Sequence, residues 1–405
     1  MLSLQMITQA RGRVAPVARC TPVLDIEIPG RRVALKLENL QRTGAFKIRG
    51  ATNCIALMDA EERARGVIAA SAGNHAQGVA AAALAAGVEA TIVMPRNTPI
   101  LKVDRTRTLG AHVILEGDDF DQANAHAREL CAEKGLVFVH PFADERVIAG
   151  QGTIGLELLE QVPDMTSVIV PVGGGGLIAG IGCAIKESAP KIKVFGVQSA
   201  LAPAMACSFE AGHATPAPVS PTIADGIAVG RPEELNCQLL RRYVDGVVTV
   251  TDAQIATAML RFIEDEKLVV EGAGAATRPA LEAFGDVAGD RPVLVLSGGN
   301  VDITTLGAVI DRGLAEAGRS VRLLVDLPDI PGALAGLAAA VSESRANIIE
   351  ILHNRLTGEL ELGKAEVEMV LSTRGPDHVA EILKSLRAKG YNARRHEHPR
   401  ASEDC

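Results

Sequence analysis

The chain of 405 residues has no tryptophan, two tyrosines and eight phenylalanines. With aromatics at 2%, its cores must be built from Ala, Val, Leu and Ile. The same scarcity removes the stacking platforms of a single-strand nucleic-acid binder. A basic surplus is also absent. The net charge is −8 and the pI about 5.7, so no polyanion or nucleic-acid partner is expected. The seven cysteines include no CxxC pair, and an odd, dispersed set builds neither a disulfide framework nor a zinc site. Reduced thiols in a cytoplasmic protein are expected, with no metal site. The N-terminus lacks the apolar core and small-residue cleavage site of a signal peptide. One uncharged run, residues 165–185, is long enough to span a bilayer. It contains Pro171 and four consecutive glycines, which fit a strand, a turn and a helix start better, so no membrane partner is expected.

What is present is 47% hydrophobic and 22% charged, enough for two or three globular units. Short apolar runs at 67–70, 90–93, 168–172, 193–197 and 293–296 alternate with Ala-rich helical stretches at 74–86 and from the glycines to about 188. Continuous β-branched runs separated by helices predict buried parallel strands in a doubly wound α/β fold. The character changes near residue 318. Residues 315–320 read as a linker, followed by strand 321–327, helix 331–346 with Pro331 in its first turn, strand 348–356, a connection at 357–364, strand 365–372, helix 376–389 and strand 391–395. This β-α-β-β-α-β pattern is the ferredoxin-like arrangement.

Four segments carry chemistry. In TGAFKIRG, residues 43–50, Lys47 lies between apolar Phe46 and Ile48. A desolvated amine has a lowered pKa and forms Schiff bases; the alternative is an ordinary snorkelling lysine. In SAGNHAQG, residues 71–78, a strand-to-helix turn offers amides and a hydroxyl to a carboxylate, and Asn74 a donor to a ring oxygen. Alternatively, Ser71 or Asn74 simply caps the helix, and His75 alone reads as structural. In VGGGGL, residues 172–177, four glycines between strand and helix let backbone amides wrap a phosphate. The Lys-Ser/Thr of a P-loop is missing. The next strand ends in Gln198 and Ser199, with no acid for a ribose, which disfavours a nicotinamide cofactor. In LSGGN, residues 296–300, Ser297 offers a neutral hydroxyl at a strand end, suited to a pyridine nitrogen left unprotonated. Together these supply the groups that pyridoxal phosphate (PLP) needs.

These stretches, with AGQGTIGLE, TIADGI and EGAGA, occur over residues 20–310 in the order seen in the threonine dehydratase (threonine ammonia-lyase) family, which the chain resembles, close to the catabolic type. The resemblance implies a fold-type II PLP enzyme, tryptophan synthase β-like, with two open parallel-sheet subdomains. It implies a catalytic domain at 1–318, with a small subdomain inserted at about 48–145. Lys47 is implied as the Schiff-base lysine beside Phe46. Asn74 would bind the ring oxygen, and Gly173, Gly174, Gly175, Gly176 and Leu177 the phosphate. Ser297 would bind the ring nitrogen, with Glu271 near the ring. Ser71, Ala72, Gly73, Asn74 and His75 would form the substrate-carboxylate loop, and Phe142 would put an apolar group in the substrate pocket. The expected reaction is loss of water from L-threonine, giving 2-oxobutanoate and ammonia, with L-serine as second substrate. Racemisation of serine or another 3-hydroxy amino acid is one alternative, and a non-catalytic amino-acid sensor another. Ala72 stands where the related serine racemases carry a second serine, and Gln198 and Ala204 where they carry metal-binding acids. Intact Lys47 argues against the sensor. Residues 319–405 resemble an ACT domain, implying an amino-acid effector around Asp329, Gly332, Ala333 and Leu334 and a homodimer or homotetramer. The tail histidines, His396 and His398, are expected to be inert.

Overall fold

The computed structural model describes residues 1–28, 30–355 and 363–396. Two expectations, the 357–364 connection (apart from its last two residues) and His398, lie outside the described residues. The chain forms two compact units, Met1–Asp302 and Ile303–Cys405.

The first unit contains two sheets. Six strands run in the order Val23–Ile28, Arg31–Lys36, Pro292–Val295, Ser167–Pro171, Lys193–Ser199 and Gly246–Val250. The first pair is antiparallel and the rest are parallel. A second, all-parallel sheet runs His112–Leu115, Ala90–Met94, Val67–Ala70 and Val137–Phe138. Val67–Ala70, Ser167–Pro171 and Pro292–Val295 are buried at every residue, as continuous apolar runs covered on both faces must be. The chain leaves the large sheet after Lys36, builds the small one, and returns at Ser167.

Three helices join these sheets at the site. Helix Glu145–Gln161 packs between helix Lys47–Ala56 and helix Gly176–Ser188. Glycine at the two crossings permits backbone contact. A Cβ on Gly150 would lie 2.5 Å from Arg49 O, and one on Gly180 2.5 Å from Ile148 O. A buried ionic cluster secures the same junction. Arg49 pairs with Glu38 at 2.8 Å and with Glu157 at 2.6 Å, and Lys36 pairs with Glu157 at 2.5 Å. Burial would raise the Glu38 carboxyl, but the Arg49 guanidinium outweighs it and holds Glu38 below the usual carboxylate range.

In the second unit, helix Ile303–Glu316 packs on strand Ser320–Pro328. The sheet order is Asn347–Asn354, Lys364–Ser372, Ser320–Pro328 and Asn392–Arg395, all antiparallel. With helices Ala333–Glu343 and Pro376–Ala388, this is the ferredoxin-like arrangement. Two details depart from the sequence reading. The first helix begins at Ala333 rather than 331, because Gly332 caps it at φ +90°, outside helical space, and leaves Pro331 in the preceding turn. Helix Ile303–Glu316 fills most of the stretch before the strand, so the units divide ahead of this helix rather than at 318.

Candidate active site

Lys47 opens its helix at the end of strand Pro292–Val295. Phe46 N–H donates to Ser297 O at 3.1 Å, and Gly299 N–H to Gly44 O at 2.9 Å. The turn around Ser297 thus holds the turn before Lys47. From the small subdomain, helix Asn74–Ala86 crosses at Gly78, where a Cβ would lie 3.0 Å from Ile48 N. The Lys47 ammonium donates to Pro141 O at 2.9 Å and lies 5.2 Å from the Phe46 ring centre. Desolvation pushes the amine down to about 8, opposed by the Glu271 carboxylate. The side chain is half-buried, with its amine bonded to a backbone carbonyl.

The loop after strand Val67–Ala70 turns on itself: Gly73 N–H donates to Ser71 Oγ at 3.1 Å. Gly73, rather than Ser71 or Asn74, is the helix N-cap, and no side chain caps the helix. Its first amides therefore remain open to a carboxylate. Asn74 is the first helical residue. It donates to both Glu271 carboxylate oxygens at 3.0 Å and accepts from Asn300 Nδ2 at 2.8 Å. Half-buried Ala72 packs against the small subdomain's core. The His75 imidazole turns away from the loop: Nε2 donates to Val139 O at 2.9 Å. Burial and the Lys47 charge push it down to about 3.

Glu271 caps helix Gly272–Ala275, and its N–H donates to Gly298 O at 3.0 Å. The side chain is 4% exposed. Burial pushes its carboxyl up to about 7, opposed by the Asn74 hydrogen bond. Ser297 is 2% exposed beside it. Lys47, Asn74, Glu271, Ser297 and Asn300 thus form one connected set.

The glycine run lies across from them. Gly175, at φ +86°, caps helix Gly176–Ser188 without a side-chain partner for the helix amides. The Phe142 ring packs flush on Gly174, where a Cβ would lie 2.3 Å from its carbons. The same ring meets His140 edge-on, 4.8 Å between centres. The apolar ring therefore borders the glycine loop directly. Asn236 donates to Gly174 O and Phe142 O. Gln198, near the end of strand Lys193–Ser199, accepts from the amides of Met205 and Ala206 at 3.1 and 3.0 Å. Among the described residues, no group of three or more His, Cys, Asp or Glu side chains is placed to hold a metal ion. Sequence reasoning gave no role to Asn300, the last residue of LSGGN, or to Pro141, the neighbour of Phe142, and missed Asn236, which lies in no quoted motif.

The fold and site define an α/β enzyme built on one mixed and one all-parallel sheet, whose desolvated lysine shares a site with an uncapped, glycine-rich helix N-terminus. The chain belongs to the pyridoxal-phosphate dependent enzyme family, whose profile matches residues 14–298. It is 48% identical over 398 residues to the L-threonine ammonia-lyase of Thermotoga maritima, covering 97% of this chain and 99% of that protein. Among solved structures, it resembles the processed form of threonine deaminase isoform 2 from Solanum lycopersicum (TM-score 0.73, 37% identity, 76% of this chain and 92% of that one). It also resembles maize serine racemase (TM-score 0.72, 36% identity, 78% and 98%).

Proposed function

We propose that the chain removes water from L-threonine, and that the released enamine takes up water to give 2-oxobutanoate and ammonia, with PLP as cofactor. The carrying observation is the Lys47 amine, held down to about 8 beside two uncapped helix N-termini. One, at residues 173–177, suits a phosphate, and the other, at residues 71–75, a substrate carboxylate. The residues fit the cofactor: Lys47 would carry it covalently, Asn74 would face the ring oxygen, and Ser297 the ring nitrogen. Phe46 and Glu271 would flank it. When bound, PLP supplies an electron sink for the α-carbon. Lys47 takes the α-proton, and about half its amine is neutral near pH 8. The Ser71 hydroxyl, itself held by the Gly73 N–H, and the amides of residues 72, 74 and 75 hold the carboxylate and fix which bond faces Lys47. Phe142 gives the substrate methyl an apolar neighbour. Serine lacks only that methyl, a difference of ~1–3 kcal/mol, so it reacts as a second substrate.

Racemisation needs a proton donor on the face opposite Lys47, and Ala72 supplies none. The test is 2-oxobutanoate formation from L-threonine by the purified protein, with chiral analysis of residual serine in parallel. Pyruvate with serine remaining L supports elimination; accumulation of D-serine without keto acid sinks it.

The second unit fits an ACT regulatory domain. Residues 327–334, with His353 and Arg355, line an open cavity of about 380 Å³. Asp329 and Arg355 pair there at 3.2 Å, offering one charge of each sign to an amino acid's ammonium and carboxylate. Asp329, Gly332, Ala333 and Leu334 are the proposed effector contacts, in a homodimer or homotetramer. The six described cysteines are unpaired, and no described helix is long and apolar enough to cross a membrane.

A further inference from the structure

Asn236 lies in helix Glu234–Tyr243, which packs against the helix opened by the glycine run. It is 0% exposed. Its amide nitrogen donates to two carbonyl oxygens, those of Gly174 and Phe142. Only a donor can face two carbonyls, so the orientation of the side chain is fixed. Its Oδ1 has no hydrogen-bond partner among the described residues. A buried acceptor left unpaired costs stability. Leucine would fill a similar volume without that cost, so packing alone does not explain an amide here.

The geometry of the bound peptide does. A trans peptide points its C=O and its N–H in opposite directions. Drawing Gly174 O towards Asn236 turns the Gly175 N–H to the opposite side. Glycine on both sides of this peptide offers little steric resistance to its turning over, and Gly175 sits at φ +86°. The second hydrogen bond ties the same amide to Phe142, where the chain returns from the small subdomain.

We infer that Asn236 is a positioning residue of the phosphate site: it locks the Gly174–Gly175 peptide so that the Gly175 N–H faces the phosphate. This rests on the reading that residues 173–177 hold the phosphate of PLP. Without the lock, the peptide is free to present its carbonyl oxygen to an anion.

The test titrates apoenzyme of the natural protein, Asn236→Leu and Asn236→Ala with PLP and with pyridoxal, which has the same ring and aldehyde but no phosphate. The unfolding temperature of each apoenzyme is recorded alongside. The preference for PLP over pyridoxal should fall at least about tenfold in both variants, the worth of one charge-assisted hydrogen bond, with pyridoxal affinity kept. A lowered unfolding temperature with the natural preference intact would mean that Asn236 only packs, and overturns the proposal. If the natural protein itself shows no preference for PLP, the phosphate assignment fails first and takes the proposal with it. Two variants of different size separate loss of the amide from a failure to fold in either one.

Discussion

Glu271 is a buried carboxyl that keeps its proton up to about pH 7. In the unfolded chain a glutamate ionises near pH 4.3. Between those values the folded, cofactor-free protein holds a proton that the unfolded chain has released. Stability contributed by the neutral form is therefore complete below about pH 4.3 and lost as pH rises towards 7, on the order of 3 kcal/mol. Glu271→Gln keeps an acceptor for Asn74 and removes the titration. Denaturant melts of the cofactor-free variant from pH 4.5 to 7 should lose most of that slope. An unchanged slope would place its origin in other groups. At this scale, sequence reading found the residues whose motifs are contiguous. Lys47, Asn74, Glu271 and Ser297 each belong to a short string of unusual composition. Asn236 and Asn300 do not stand out, because their value lies in partners 62 and 226 residues away in the chain. The turn of His75 into the core was equally invisible, since it depends on where Val139 O falls.

Among the elements, helix Glu145–Gln161 sets the distance between the lysine and the glycine run. Gly180 is its tightest contact with the phosphate-side helix: an added Cβ would lie 2.5 Å from Ile148 O and 2.6 Å from Gly152 N. Both are backbone atoms, so neither can rotate aside. Gly180→Ala should cost about 1–3 kcal/mol, as overpacking does, and should also weaken PLP binding by shifting residues 173–177 relative to Lys47. Urea denaturation and apoenzyme titration measure the two effects; a variant with natural stability and affinity would show that the contact does not set the spacing. The strands were legible because runs such as VIVP and VLVL are uninterrupted and β-branched, as sheets buried on both faces require. Helix starts were less so. Pro331 satisfied a general preference for the first helical turn, but the positive φ of Gly332 overrode it. Likewise the Ser71 hydroxyl bonds Gly73 instead of capping the next helix.

For the whole molecule, the two units have separate cores. Val321, Leu323, Leu337, Met369, Ile382 and Leu386 belong to a cluster confined to the second. The family profile ends at residue 298, within the first. A chain ending at Asp302 should therefore fold, bind PLP and deaminate threonine without an effector response. Allostery requires that an effector bind one global state more tightly than another, and the proposed cavity at residues 327–334 would be gone. Threonine saturation curves for both lengths, with isoleucine, valine and other amino acids added, decide this. A response that survives truncation moves the regulatory site into the first unit.

The claim on which the rest depends is that Lys47 carries the cofactor. Borohydride reduction of the holoenzyme fixes the cofactor to whichever lysine bears it, and peptide mass mapping then locates the adduct. The account predicts a single pyridoxyl group on Lys47, with loss of threonine deamination in proportion to labelling. A fully labelled protein carrying the group on any other lysine, with Lys47 unmodified, would contradict it.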